Sequence, residues 1–125
     1  MKRDMDLVRD ILLAYEMNGH FPNFDECLKG YSTEEVEYHI NLMLNAGLLE
    51  ALFVPNSLNA RMGIPYGYRM TWDGHDFLDA ARDETRWKKA KGIMKQIGGA
   101  TLEILKQILT QVMADQVKQA MGVKP

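Results

Sequence analysis

Residues 32–51 read STEEVEYHINLMLNAGLLEA. The run opens with S-x-x-E, the spacing at which Ser32 accepts from the Glu35 amide while the Glu35 carboxylate reaches back to the Ser32 amide. Tyr31 and Val36 stand where a hydrophobic staple closes around that cap, and Val36, Ile40, Met43 and Leu44 recur on one face of a 3.6-residue period. Gly47 follows at the left-handed position past the end, so the spacing predicts a helix over 33–46. The stretch holds four glutamates and neither lysine nor arginine. An amphipathic helix with a negative outer side is therefore expected.

Toward the N-terminus, Leu7, Val8, Ile11, Leu12 and Tyr15 recur at helical spacing and Asn18-Gly19 supplies a stop, which predicts a first helix from about Arg3 to Asn18. Between the two helices, HFPNFDECLKGY is punctuated by Pro22 and Gly30 and leaves room only for a small strand around Glu26 to Lys29. On the other side, Leu48 to Val54 reads as a strand paired with Tyr68 to Met70, and PNSLNARMGIPYG between them as an irregular loop. Thr71 caps a further helix, whose apolar positions Phe77, Leu78, Ala81, Trp87, Ala90, Met94 and Ile97 carry it toward Gly98-Gly99, weakened at Gly92. A last helix runs from Thr101 to about Met121, with Leu102, Leu105, Ile108, Leu109, Val112, Met113 and Val117 on a broad apolar arc. The expected fold is mainly α with a small β-hairpin in residues 1–85, plus a C-terminal helical hairpin, 86–125, packed on that domain or used for dimerisation.

The chain has 125 residues, 46% of them hydrophobic and 26% charged, the composition of a globular protein that buries roughly two thirds of its unfolded surface. Its first residues lack the features of a signal or transit peptide, and no run approaches eighteen apolar residues, so no membrane span is expected. The single Cys27 has no disulfide partner within the chain, and a reducing cytoplasm is expected. Net charge is −2, but residues 1–60 hold four basic and ten acidic side chains while 61–125 hold eleven and seven. Any contact with a polyanion is expected from the second half.

The order helix, short strand, capped helix and hairpin, with NAGLLEA followed by YRMTWDGHDFL, resembles the winged-helix superfamily. More narrowly, MKRDMDLVRDILL, GYSTEEVEYHINLMLNAGLLEA and MTWDGHDFLDAARDETRW resemble a bacterial and prophage family catalogued as a domain of unknown function. The resemblance covers nearly all of residues 1–97. It implies a winged-helix fold in a cytoplasmic or phage-encoded small protein, and no characterised activity. It also implies that the helix 33–46 stands where a winged-helix protein lays its recognition helix in the major groove of double-stranded DNA.

Charge opposes that use of the helix. Glu34, Glu35 and Glu37 occupy its first turns, and a carboxylate about 6 Å from a phosphate is repelled by roughly 0.7 kcal/mol in water. Two or three facing several phosphates cost on the order of 2 to 4 kcal/mol, comparable with one or two good base contacts. Tyr38, Asn41 and Asn45 face outward and suit DNA or a protein partner equally. Arg86 to Lys95, RWKKAKGIMK, instead carries Arg86, Lys88, Lys89, Lys91 and Lys95 without an acid, a ridge suited to phosphates. Lys2, Arg3, Arg61 and Arg69 extend it if the fold gathers them.

Two functional classes stay open: a nucleic-acid-associated regulator touching phosphates through wing and ridge, and a protein-interaction module without direct DNA binding. Either accommodates a homodimer through residues 101–121. His20, His39, His75 and Cys27 show no metal-ligand spacing, and His39 reads as a packing or helix-side residue. Asp73, Asp76, Asp79 and Asp83 lie along one helix flank rather than across a pocket, and no nucleophile motif or phosphate-binding glycine loop is present. No enzymatic activity, cofactor or metal is expected.

Overall fold

The computed structural model describes residues 1–19, 22–56, 59–99 and 101–122, and their side chains except those of 54–66. Helix α1, Met5–Asn18, starts at Asp4, whose carboxylate accepts from the amides of Asp6 and Leu7 at 2.9 and 3.3 Å. It buries Leu7, Val8, Ile11, Leu12 and Tyr15, the expected stripe. Helix α2, Phe24–Cys27, is a single turn and corrects the small strand expected around Glu26 to Lys29. The Asn23 side chain accepts from the Asp25 amide at 3.1 Å, and the amides of Cys27 and Leu28 bond to the carbonyls of Asn23 and Phe24 at 2.9 and 2.8 Å. With these groups satisfied locally, little is left for strand pairing.

Helix α3, Thr33–Asn45, opens with the predicted capping box: Glu35 N to Ser32 Oγ at 3.0 Å and Ser32 N to Glu35 Oε1 at 3.2 Å. Val36, Ile40 and Met43 are buried, Leu44 is half-buried, and His39 joins the buried face at 1% exposure. Gly47 follows with φ of 78°, a conformation that other residues reach only with strain.

Strands β1, Leu49–Asn56, and β2, Asn59–Met70, pair antiparallel from Leu49 opposite Met70 to Asn56 opposite Asn59. Most of the expected loop is therefore strand. The register shifts between Leu52 and Phe53 and between Val54 and Asn56; Pro55, which cannot donate to a ladder, falls in the second shift, and Pro65 stands opposite Phe53 beside the first. Below the hairpin, the Thr71 amide donates to the Leu48 carbonyl at 3.1 Å and the Thr71 hydroxyl donates to the Gly47 carbonyl. The same hydroxyl accepts from the Gly74 amide at 3.0 Å and so caps helix α4, Trp72–Ala81. A Cβ on Gly74 would sit 2.1 Å from the Leu48 carbonyl oxygen, so only glycine fits there. Helix α1 packs on α3 and β2, and α3 packs on β1.

The chain forms two compact units, Met1–Asp76 and Phe77–Pro125, which meet inside α4, whereas the sequence reading divides it after residue 85. The continuous helix expected from Thr71 to Gly98 is also corrected, because α4 ends at Ala81 and α5, Glu84–Gln96, starts anew. Asp83 is extended, and its carboxylate accepts from the Arg86 amide at 2.7 Å. A short acidic side chain gains more as a cap than inside a helix, which places the break. Helix α6, Leu102–Ala120, is capped by Thr101 and packs on α5. Trp87, Ala90, Leu105, Leu109 and Val112 are buried in this unit, with Phe77 edge-on to Trp87 at 6.3 Å. The described chain is mainly helical with one small two-stranded antiparallel hairpin.

Candidate interaction surfaces

The outer side of α3 presents Glu34, Glu37, Tyr38, Asn41 and Asn45, all exposed, while the capping box holds the Glu35 carboxylate back toward Ser32. His39, in contrast, is a packing residue. The Asp4 amide donates to its Nε2 at 2.8 Å, and its Nδ1 donates to the Glu35 carbonyl at 2.8 Å. Those partners assign a neutral ring protonated at Nδ1 and tie the start of α1 to α3.

Beside the α3 face lies a cleft of about 550 Å³, which sequence reasoning missed. Tyr15 of α1, Phe24 of α2, Tyr31 and Tyr68 of β2 supply aromatic walls, with Asp25 and Glu37 among the polar lining. Tyr15 and Phe24 meet edge-on, with ring centres 5.7 Å apart. Burial, and secondarily the neighbouring Tyr68, push the Tyr15 hydroxyl up to about 12. Tyr31 is also raised, first by burial and then by the carboxylates of Asp4, Asp10, Asp6 and Glu35. The surroundings are therefore negative, and no lysine or arginine is among the lining residues. The four rings come from positions 15, 24, 31 and 68, and no local periodicity announces their meeting; the one sequence signal was Tyr31 beside the capped helix.

The basic candidates divide between the two units. In the first, Lys2 and Arg3 are exposed, Arg69 is ion-paired with Glu50 across the hairpin, and the Arg61 side chain lies outside the described residues. In the second, Lys88, Lys89 and Lys95 project from α5, whereas Lys91 is half-buried. Arg86 is half-buried too, and its Nε and Nη1 are shielded from solvent without a hydrogen-bond partner among the described residues. Residues 1–76 carry six basic and twelve acidic side chains, and residues 77–125 carry nine and five. The charge asymmetry of the sequence thus follows the structural division.

A residue not singled out by the sequence is Trp72, which is 82% exposed at the first position of α4. Asp79 pairs with Arg82 at 2.9 Å, and exposed Cys27 accepts from the Asn18 side chain at 3.4 Å. Among the described residues, no three His, Cys, Asp or Glu side chains group as metal ligands, and no helix is long and apolar enough to cross a membrane. His20 lies outside the described residues.

Comparison with known proteins places residues 2–101 in a match to the family described as "Hypothetical protein (DUF2513)". An "Uncharacterized protein" of Haemophilus influenzae is 32% identical over 124 residues, covering 94% of this chain and 99% of that protein. No solved structure matches at a significant level.

Proposed function

The chain belongs to the DUF2513 family of hypothetical proteins, and we propose that it is a cytoplasmic, nucleic-acid-associated regulator of bacterial or prophage type, a winged-helix variant that holds duplex DNA by its phosphates. The observation that carries this reading is the separation of charge: Lys88, Lys89 and Lys95 project from α5 in a unit with excess positive charge, while α3 presents glutamates. Repulsion keeps α3 out of the groove, and Arg69, offset by Glu50, adds little. Three lysines on three phosphates predict an affinity that falls about 40-fold between 50 and 200 mM salt. The test is a titration with random-sequence duplex at those two concentrations. The triple substitution K88E/K89E/K95E is expected to remove binding, and no binding by the unaltered chain at the lower salt overturns the reading.

A second reading, a protein-interaction module, is favoured by the cleft and the polar α3 face beside it. Self-pairing belongs to the same reading, because Met113, Val117 and Met121 form a row on α6 in which Val117 and Met121 are 54% and 73% exposed. Light scattering on the V117E/M121E variant is expected to show half the mass of the parent. An identical monomer mass for both removes the pairing.

A further inference from the structure

We propose that the cleft walled by Tyr15, Tyr31 and Tyr68 receives an arginine side chain presented by a partner protein, with the carboxylates of Asp25 and Glu37 as its counter-charges. The proposal rests on the protein-interaction reading and is independent of phosphate binding. Aromatic faces attract cations, and a planar guanidinium stacks on a ring while its five donors remain available to carboxylates. Asp25 and Glu37 are exposed, and neither is ion-paired with a described residue, so both are free to meet an incoming cation. Tyr15 lines the cleft at 6% exposure and Tyr31 and Tyr68 are half-buried there, so the rings are held in place before an occupant arrives.

Charge selects the class of occupant. The unit holding the cleft has twice as many acidic as basic residues, and the carboxylates around Tyr31 extend the negative field past the rim. A phosphate or a nucleic acid is repelled there. At about 550 Å³ the cleft exceeds what one guanidinium fills, and its lining runs onto α3 through Glu37 and Asn41. Both features favour a polypeptide segment carrying the arginine over the free amino acid.

The experiment is a magnetic-resonance titration of the full chain with the blocked peptide Gly-Gly-Arg-Gly-Gly and with its neutral isostere bearing citrulline. The arginine peptide is expected to shift the ring signals of Tyr15, Tyr31 and Tyr68 to saturation, with the citrulline peptide about 10-fold weaker. D25N and E37Q, both at exposed positions, should each weaken the arginine peptide about 3-fold without changing the thermal unfolding curve. Equal affinity for the two peptides, or no loss in the D25N/E37Q double variant, overturns the arginine assignment while leaving a peptide-binding cleft. No ring shifts with either peptide overturns the docking site and, with it, the cleft's support for an interaction module.

Discussion

In residues 1–76, polar groups distant in sequence clasp one another: the Asp4 amide meets His39, and Thr71 meets Gly47 and Leu48. In residues 77–125 the polar contacts at helix ends are local caps at Asp83 and Thr101, and distant parts of the chain meet through Trp87, Ala90, Leu105 and Leu109. The acidic unit thus adds, to a buried apolar core of its own, directional contacts between distant residues that are lost when one partner changes. The basic unit depends on an apolar stripe, whose exposed side is open to substitution. The projecting lysines Lys88, Lys89 and Lys95 stand on that exposed side.

Gly74→Ala probes the difference most severely. The new methyl has to displace the Leu48 carbonyl, at an expected cost of about 3 kcal/mol or more in chemical denaturation. A midpoint equal to the parent's would show that the close approach is not what joins α4 to the hairpin. His39→Leu comes next, at about 2 kcal/mol, because it leaves the Asp4 amide without its acceptor in a part-buried setting. A matched pair then sharpens the comparison: Ser32→Ala and Asp83→Ala each remove a cap, and each is expected to cost about 1 kcal/mol. If Asp83→Ala is without cost and helical signal rises, α4 and α5 have fused into one continuous helix.

Tyr15→Phe is expected to be nearly silent at neutral pH and to act only at alkaline pH. The folded state raises the Tyr15 hydroxyl to about 12 from its ordinary value of 10.0, so folding favours the protonated form. That contribution to stability is complete below pH 10 and disappears as pH rises toward 12. The phenylalanine variant should therefore have a shallower alkaline loss of stability, and absorbance near the phenolate band should show one late-titrating tyrosine fewer. Parallel pH curves for the two proteins would place Tyr15 in contact with solvent.

Legibility in the sequence follows the range of the interaction. The capping box at Ser32, the apolar stripe of α1 and the glycine after α3 are set by neighbours within four residues, and each is present as read. The one-turn α2 is invisible to periodicity because four residues have no period to measure, and its cue, Asn23 accepting from the Asp25 amide, is a single side chain. The reach of β2 was hidden by the turn-forming residues along it, whose preference the pairing with β1 overrides. At residues 82–83 the apolar pattern changes phase, with Phe77, Leu78 and Ala81 on nearly the opposite side of a helical wheel from Trp87, Ala90, Met94 and Ile97, and reading all seven as one stripe passes over that signal of the break. The candidate surfaces are legible only where they lie on one helix: the exposure of Lys88, Lys89 and Lys95 and of the outer residues of α3 follows from helical spacing, whereas the half-burial of Lys91, the inward turn of Arg86 and the cleft, which is built from four separate segments, do not.

The clasp at Thr71 decides which changes in the length of the hairpin the rest of the unit would feel. One side chain and one amide close the stem of the hairpin against Gly47 and Leu48 and start the next helix in the same step. Register is thereby decided at the foot of the two strands, and loop-closure entropy grows only slowly with the length beyond it. Residues can accordingly be inserted or deleted near Asn56 and Asn59 without re-threading what lies beneath. An insertion between Asn56 and Asn59 is therefore expected to leave the pairing of Leu49 with Met70 in place.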